Sequence, residues 1–375
     1  MILFDITKSS QTAHHSGIQR VNRRLLAELG AEARPVIWRA GRWRHPGWRA
    51  PSADIAAQDW LLTTELFCEE ERPGFTRFLD ARPCRLAALF HDAIPLKHPA
   101  ITWPQSVARH PAYMTMLADF DRVLAVSEWS RNELTTFWQW QGRPARAEVR
   151  AITLGADFLP DTTTTATTPP PPPSPPPPAP RPRPRETNAP PGGGDAAAPA
   201  RLLCVGILEP RKNQAFLLDV CAGLWAAGLA FELHIAGRVN PHFGGEIERK
   251  LLAMQKTQPG IRYHRAPDDA MLLGLLRAAR AAVFPTIAEG CGLPPLEALR
   301  LGVPCVCSDL PVLREHALGG GCVAAAPGDR DAWTAALRRI LTDDAWHAEL
   351  RAQAATRNLP AWSDTAAQIR AILRG

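Results

Sequence analysis

A chain of 375 residues, 46% hydrophobic and 21% charged, is long enough for two domains and apolar enough to give each a core. The net charge is +6, and only five of the 43 basic residues are lysine, so arginine, which grips phosphate with a two-pronged fork, supplies most of it. The basic residues are dispersed, which leaves nucleic-acid binding without support, and no 18-residue apolar stretch exists to predict a transmembrane helix.

The first residues, Met1-Ile2-Leu3-Phe4-Asp5-Ile6-Thr7, reach an acidic side chain at once without a basic region and read as a strand, not a signal peptide. The eight cysteines are scattered. Cys204 and Cys322 sit in apolar runs, Cys305 and Cys307 alternate as in a strand, and no Cys-x-x-Cys pair occurs. That usage predicts a reducing, cytoplasmic setting and no structural zinc.

From the amino terminus, strands are predicted at 2–6, 36–39, 60–62, 85–90, 122–126 and 149–152, with helices at 17–29, 105–118 and 130–140. A composition break follows. Residues 160–200 hold 16 of the 37 prolines, with Thr162 to Thr165, the Pro175 to Pro178 run and Gly192-Gly193-Gly194. Such a segment cannot bury enough apolar surface to fold and reads as a linker, extended in its proline tracts and loose at its glycine end. Polyproline also suits SH3-like or WW-like partners. Beyond it, strands are predicted at 201–205, 232–236, 261–264, 281–284, 304–308 and 322–324, with helices at 213–226, 244–255, 268–279, 295–300, 330–341 and 344–357. The expected organisation is a domain at 1–159, the linker, and a domain at 201–375. Short apolar strands alternating with helices predict parallel sheets covered on both faces, with ligands at the carboxyl ends of the strands and in the cleft between domains.

Two junctions carry chemistry. After the apolar run at 281–285, Thr286-Ile287-Ala288-Glu289-Gly290-Cys291-Gly292-Leu293-Pro294-Pro295-Leu296-Glu297 sets two carboxylates eight residues apart around a Gly-x-Gly turn at a helix start. Backbone N–H groups there suit a diphosphate, while the carboxylates suit hydroxyls, as on a sugar and a ribose. An ordinary strand–turn–helix junction would also use proline near N1 and glutamate in the first turn. The second junction, Gly206-Ile207-Leu208-Glu209-Pro210-Arg211-Lys212-Asn213, puts two cations at a strand's carboxyl end, where a helix start disfavours them unless an anion is bound.

In order and spacing, Glu209-Pro210-Arg211-Lys212-Asn213, Ala236-Gly237-Arg238, Glu289 to Ala298, Gly302-Val303-Pro304 and Ser308 to Glu315 closely resemble the retaining glycosyltransferases of family 4, over most of 201–342. Cys291 departs from the family's usual aromatic residue. In the first half, Phe90-His91-Asp92-Ala93-Ile94-Pro95-Leu96, Val126-Ser127-Glu128-Trp129-Ser130 and Leu154-Gly155-Ala156-Asp157 match more loosely, and Ser16-Gly17-Ile18-Gln19-Arg20 stands at the glycine-rich donor loop with one glycine. The resemblance implies the GT-B fold, two Rossmann-like α/β domains facing across a cleft, with a last helix, 360–373, that crosses back to pack on the first domain. It implies that Arg211 and Lys212 bind a nucleotide-sugar diphosphate with Gly17 and the amides near Gly292 and Leu293. Glu297 would hold the ribose, Glu289 the donor sugar, and His91 would line the cleft.

The implied reaction is metal-independent transfer of a hexose with retention, needing no cofactor beyond the donor. A GDP-sugar is favoured over a UDP-sugar, with mannose by likeness to bacterial surface-polysaccharide mannosyltransferases, and the acceptor is a polysaccharide or lipid-linked glycan. A lipid-linked acceptor would place the protein at the inner face of the plasma membrane. A sugar-nucleotide epimerase of the same fold and an inactive scaffold binding through its proline-rich segment are the alternatives. Asp119-Phe120-Asp121 spells the D-x-D of metal-dependent glycosyltransferases but falls at a helix–strand connection, and Asp268-Asp269 reads as a helix cap. No metal site is expected.

Overall fold

A computed structural model describes residues 1–11, 17–47, 50–158 and 199–375. The linker expected at 160–200 lies outside the described residues, except that Ala200 opens a strand.

The first half runs β1 (Ile2–Asp5), α1 (Gly17–Leu29), β2 (Ala33–Arg39), β3 (Arg42–Arg44), β4 (Trp60–Thr63), α2 (Phe75–Ala81), β5 (Arg85–Phe90), α3 (Ile94–Lys97), α4 (Pro104–Leu117), β6 (Arg122–Ala125), α5 (Glu128–Trp140) and β7 (Glu148–Ala151). Its seven-stranded sheet has the order β3-β2-β1-β4-β5-β6-β7. All neighbours are parallel except the β2–β3 hairpin, where Trp38 faces Trp43 across the ladder. The second half runs β8 (Ala200–Val205), α6 (Gln214–Ala226), β9 (Phe231–Ala236), α7 (Gly245–Gln255), β10 (Ile261–His264), α8 (Asp269–Ala278), β11 (Ala281–Phe284), α9 (Leu293–Arg300), β12 (Cys305–Ser308), α10 (Pro311–Ala317), β13 (Cys322–Ala325), α11 (Arg330–Thr342), α12 (Asp344–Ala355) and α13 (Trp362–Arg374). Its six strands are all parallel in the order β10-β9-β8-β11-β12-β13.

Both sheets reverse strand order once, between β1 and β4 and between β8 and β11. Loops leaving the two strands at such a point diverge to opposite faces and open a crevice at their carboxyl ends. The strands are short apolar runs because both faces are covered: β1, β4, β11 and β12 are buried along their whole length. Ser127, Asp268, Asp329 and Asp343 each accept a backbone N–H at a helix start, so four helices begin where a capping side chain satisfies an orphan donor.

The last helix belongs to both halves. Buried Trp362, Ile369 and Leu373 join Phe4, Leu25 and Leu29 of the first sheet's layer in one core with Leu296 and Leu313 of the second. Arg370 donates to the Glu28 carbonyl at 2.8 Å, Thr365 to the Thr153 carbonyl at 2.9 Å, and Trp362 N to Asp157 at 2.7 Å. Each large apolar side chain so buried stabilises by about 1.5–3 kcal/mol. A chain ended at Pro360 is therefore expected to melt at least 10 °C lower, by order of magnitude, and an unchanged circular-dichroism melt would contradict the packing.

Candidate active site between the two sheets

The turns after β8 and β11 are tied together first. Ile287 N donates to the Arg211 carbonyl at 2.9 Å and Thr286 Oγ1 to the same oxygen at 3.1 Å. That tie brings the side chains of Arg211 and Lys212 to Glu289. Arg211 Nη1 lies 3.1 Å from Glu289 Oε2 and also donates to the Ala288 carbonyl, while Lys212 Nζ contacts Glu289 Oε1. The other edge of the Arg211 guanidinium holds Glu209 at 2.8 and 3.1 Å, and Asn240 donates to that carboxylate. Two cations and two carboxylates are thus arranged around one strand end, with the Arg211 side chain only 22% exposed.

Burial alone would raise the Glu289 carboxyl, but Lys212 and Arg211 outweigh it and hold it at about 2. A depressed acid contributes stability that is present above its unfolded value near 4.5 and lost as the pH falls toward 2. The difference corresponds to about 3 kcal/mol. Acid unfolding followed by tryptophan fluorescence is expected to move to higher pH in Lys212→Met; an unmoved midpoint would mean the lysine does not hold the charge.

Glu297, eight residues on and inside α9, is met from the first domain. Arg20 on α1 bridges it and Asp269 of α8, with 2.8 Å to Asp269. Burial raises the Glu297 carboxyl against the opposing pull of Arg20. Its Oε2 atom is buried with no hydrogen-bond partner. An unpaired carboxylate oxygen in a buried position is costly unless a ligand hydroxyl or amine completes it.

The domains touch at the Gly-x-Gly turn. A Cβ on Gly290 would lie 2.2 Å from the His91 carbonyl, so only glycine lets the β11 turn reach β5. Ser127 Oγ donates to the Gly290 carbonyl at 2.8 Å and Ser130 Oγ to the His91 carbonyl at 2.8 Å. Gly292 has φ of +79°, where a Cβ would also strike Leu313 at 2.6 Å. It enters α9 with no side-chain cap. From α10, Glu315 accepts from the N–H groups of Trp129 at 2.9 Å and Glu128 at 3.2 Å, a carboxylate placed at the positive end of α5 across the interface.

His91 is buried, and its Nε2 lies 2.9 Å from the Thr64 carbonyl. Burial lowers its pKa, so the ring is neutral near pH 7, and the contact assigns the proton to Nε2. Gly17 opens α1 at an exposed position, while Ser16 and residues 12–15 lie outside the described residues. Asp121 of the D-x-D sequence is at the amino end of β6, away from the site, where its carboxylate accepts from Leu86 N and Arg146. Asp119 pairs with Arg143. Asp268 caps α8, as its position suggests, whereas Asp269 faces Arg20.

Two cavities flank the site. One of about 110 Å³ lies between Glu289, Lys97, Trp129 and Pro311, and one of about 220 Å³ in the first domain is lined by Lys8, Glu71, Trp103, Arg109 and Tyr113. Sequence reasoning assigned no role to Arg20, Glu209, Ser127, Ser130 or Glu315. Arg20 has a faint signal, one helical turn after Gly17.

Two Rossmann-like sheets meeting at their strand ends, with an ionic cluster between them, define the GT-B class of α/β proteins. Residues 199–343 match the family model of glycosyl transferases group 1. The chain is 27% identical over 345 residues to the serotype-specific mannosyltransferase WbdA of Escherichia coli, covering 84% of this chain and 40% of that one. The chain thus spans about 40% of the length of this relative. The O-antigen chain mannosyltransferase RfbU of Salmonella typhimurium is 39% identical over 139 residues, covering 37% of each chain. Among solved structures, HepE of Anabaena in complex with UDP and glucose superposes with a TM-score of 0.67 at 15% identity, over 100% of this chain and 99% of that one. Sucrose-phosphate synthase of Thermosynechococcus elongatus does so at 0.61 and 19% identity, over 84% of this chain and 73% of that one. No helix among the described residues is long and apolar enough to cross a membrane.

Proposed function

We propose that the protein is a retaining glycosyltransferase that moves a hexose, mannose being favoured, from a nucleotide-diphosphate sugar to a glycan or lipid-linked acceptor without a divalent metal. The observation that carries this reading is the Arg211–Lys212–Glu289 cluster at the end of β8. Arg211 and Lys212 are the natural counter-ions of a diphosphate, and Glu289 and Glu209 neutralise them when none is bound. Donor entry exchanges one anion for the other. The released Glu289 then faces the sugar hydroxyls, and the unpaired Oε2 of Glu297 accepts from the ribose. Amides at Gly292 and Leu293 and the Gly17 end of α1 complete the donor site. His91, neutral, lines the sugar side.

In the reaction the bond from the anomeric carbon to the diphosphate oxygen breaks as the bond to the acceptor oxygen forms on the same face. The acceptor's proton passes to the leaving diphosphate, whose growing charge Arg211 and Lys212 stabilise. That charge stabilisation is the work a metal performs elsewhere, which supports metal independence. The named relatives, a serotype-specific mannosyltransferase and an O-antigen chain mannosyltransferase, support mannose, and the second supports a surface-glycan acceptor; the 220 Å³ cavity with its Trp103 wall is the proposed acceptor side.

The test is thermal stabilisation by GDP, UDP, GDP-mannose and UDP-glucose, with and without EDTA, followed by transfer from the donor that binds. A selective shift that EDTA leaves intact and Arg211→Ala abolishes is expected. No shift with any nucleotide would overturn the proposal and favour a scaffold role.

A further inference from the structure

The spacing of the cysteines contains no Cys-x-x-Cys pair, yet the fold gathers three of them. Cys305 and Cys307 are two residues apart on β12 and point to the same face of the sheet. Cys322 is the register partner of Cys305 on the neighbouring strand β13. The three sulfurs all lie within 4.8 Å of one another. Cys305 and Cys307 are fully covered by the core that α9, α10 and α12 close over this face, while Cys322, on the edge strand, is partly buried. The remaining described cysteines, Cys68, Cys84, Cys204, Cys221 and Cys291, form no such group.

We propose that Cys305, Cys307 and Cys322 form a thiolate site for a single cuprous ion. A trigonal ion bound at about 2.3 Å to each of three sulfurs requires sulfurs about 4 Å apart, so rotamer adjustment inside the present triangle suffices. Soft thiolate ligands select d¹⁰ ions, Cu⁺ and Zn²⁺ foremost. Zinc in a structural site takes four ligands, and the cluster offers three sulfurs in a largely apolar, water-poor setting; three-coordination is what Cu⁺ accepts. Cys322, only partly buried at the sheet edge, provides the way in. Binding releases the thiol protons to solvent, and the Arg357 guanidinium beside the cluster lessens the charge that the bound thiolates leave in the core. The site lies on β12 and β13, shares no residue with the Arg211–Glu289 cluster, and does not depend on the transferase reading.

The experiment uses the full chain, reduced and freed of metal under anaerobic conditions, and titrates Cu⁺ or Zn²⁺ against a competing chelator. The expected result is one equivalent of copper per chain, with sulfur-to-copper charge-transfer absorption and a melting temperature raised by several degrees. Copper should protect Cys322 from alkylation. Cys322→Ser, a near-isosteric change on the edge strand, should abolish retention, whereas Cys68→Ser and Cys204→Ser should keep it. No copper retained against the chelator, or equal retention by Cys322→Ser, would overturn the site. Zinc bound in preference to copper would overturn the three-coordinate assignment.

Discussion

Replacing Glu289 with glutamine is expected to separate nucleotide binding from sugar transfer. In the unliganded protein the Glu289 carboxylate is the shared counter-ion of Arg211 and Lys212, and it stays ionised to about pH 2. A diphosphate entering this place competes with it. Glutamine keeps the shape and gives up the competing charge, so affinity for a free nucleoside diphosphate should hold or improve by a fewfold. The amide is a poorer acceptor for sugar hydroxyls and offers no negative charge to an anomeric centre that becomes positive in the transition state. Turnover should therefore fall by about 10²–10³, the usual scale for one electrostatic contact made in the transition state. Lys212→Met should do the reverse, weakening the nucleotide first. Calorimetric titration with GDP or UDP beside steady-state transfer measures both. If Glu289→Gln lost nucleotide affinity and turnover in equal proportion, the glutamate would be a binding or folding residue and not one that acts on the sugar.

Much of this geometry is written locally. The strands at 261–264 and 281–284 and the helix at 17–29 coincide with β10, β11 and α1 to the residue, because each is a short apolar run or an amphipathic stretch with clear ends. Elements without such signals were not foreseen. The β2–β3 hairpin turns through Ala40 and Gly41 at φ of 52° and 73°, and an alanine does not advertise a left-handed turn. α2 and α10 are seven residues long, too short for a helical period to stand out, and α3 is one turn. In the site, Arg211, Lys212, Glu289 and Glu297 stand on two junctions whose residue types announce their chemistry. Their partners do not: Arg20 meets Glu297 across 277 positions, and Glu315 meets α5 across 186. Such pairings arise only from the docking of the two sheets. The grouping of Cys322 with Cys305 escaped notice for the same reason, since their nearness is a matter of strand register.

Among single substitutions the largest effect on stability is expected from Arg72→Met, which removes the cation from a buried acidic pair at the carboxyl ends of β1 and β4. Arg72 is 2% exposed, Asp5 0% and Glu65 3%, and the guanidinium reaches each carboxylate at 2.6 Å while stacking 3.6 Å above the Phe67 ring. Asp5 is further held by Thr7 and Thr63, and Glu65 by the N–H groups of Lys8 and Ser9. Methionine fills much of the volume, so the loss is electrostatic: two carboxylates left facing each other without a counter-ion. Breaking a buried pair in this way costs roughly 3–5 kcal/mol, on the order of 10 °C in Tm. The sign of its pH dependence follows from Glu65, whose carboxyl burial and the nearby Asp5 push up to about 7 even with Arg72 present. An acid raised in the folded state costs nothing below its unfolded value near 4.5 and costs most above its folded value. Without Arg72 the folded value rises further. The stability gap between the variant and the parent should therefore narrow as the pH falls from 8 to about 5.5, where Glu65 takes up its proton. Urea unfolding at the two pH values measures the gap. A gap that stays constant would mean that Arg72 acts by packing on Phe67 and Trp43 and not by its charge.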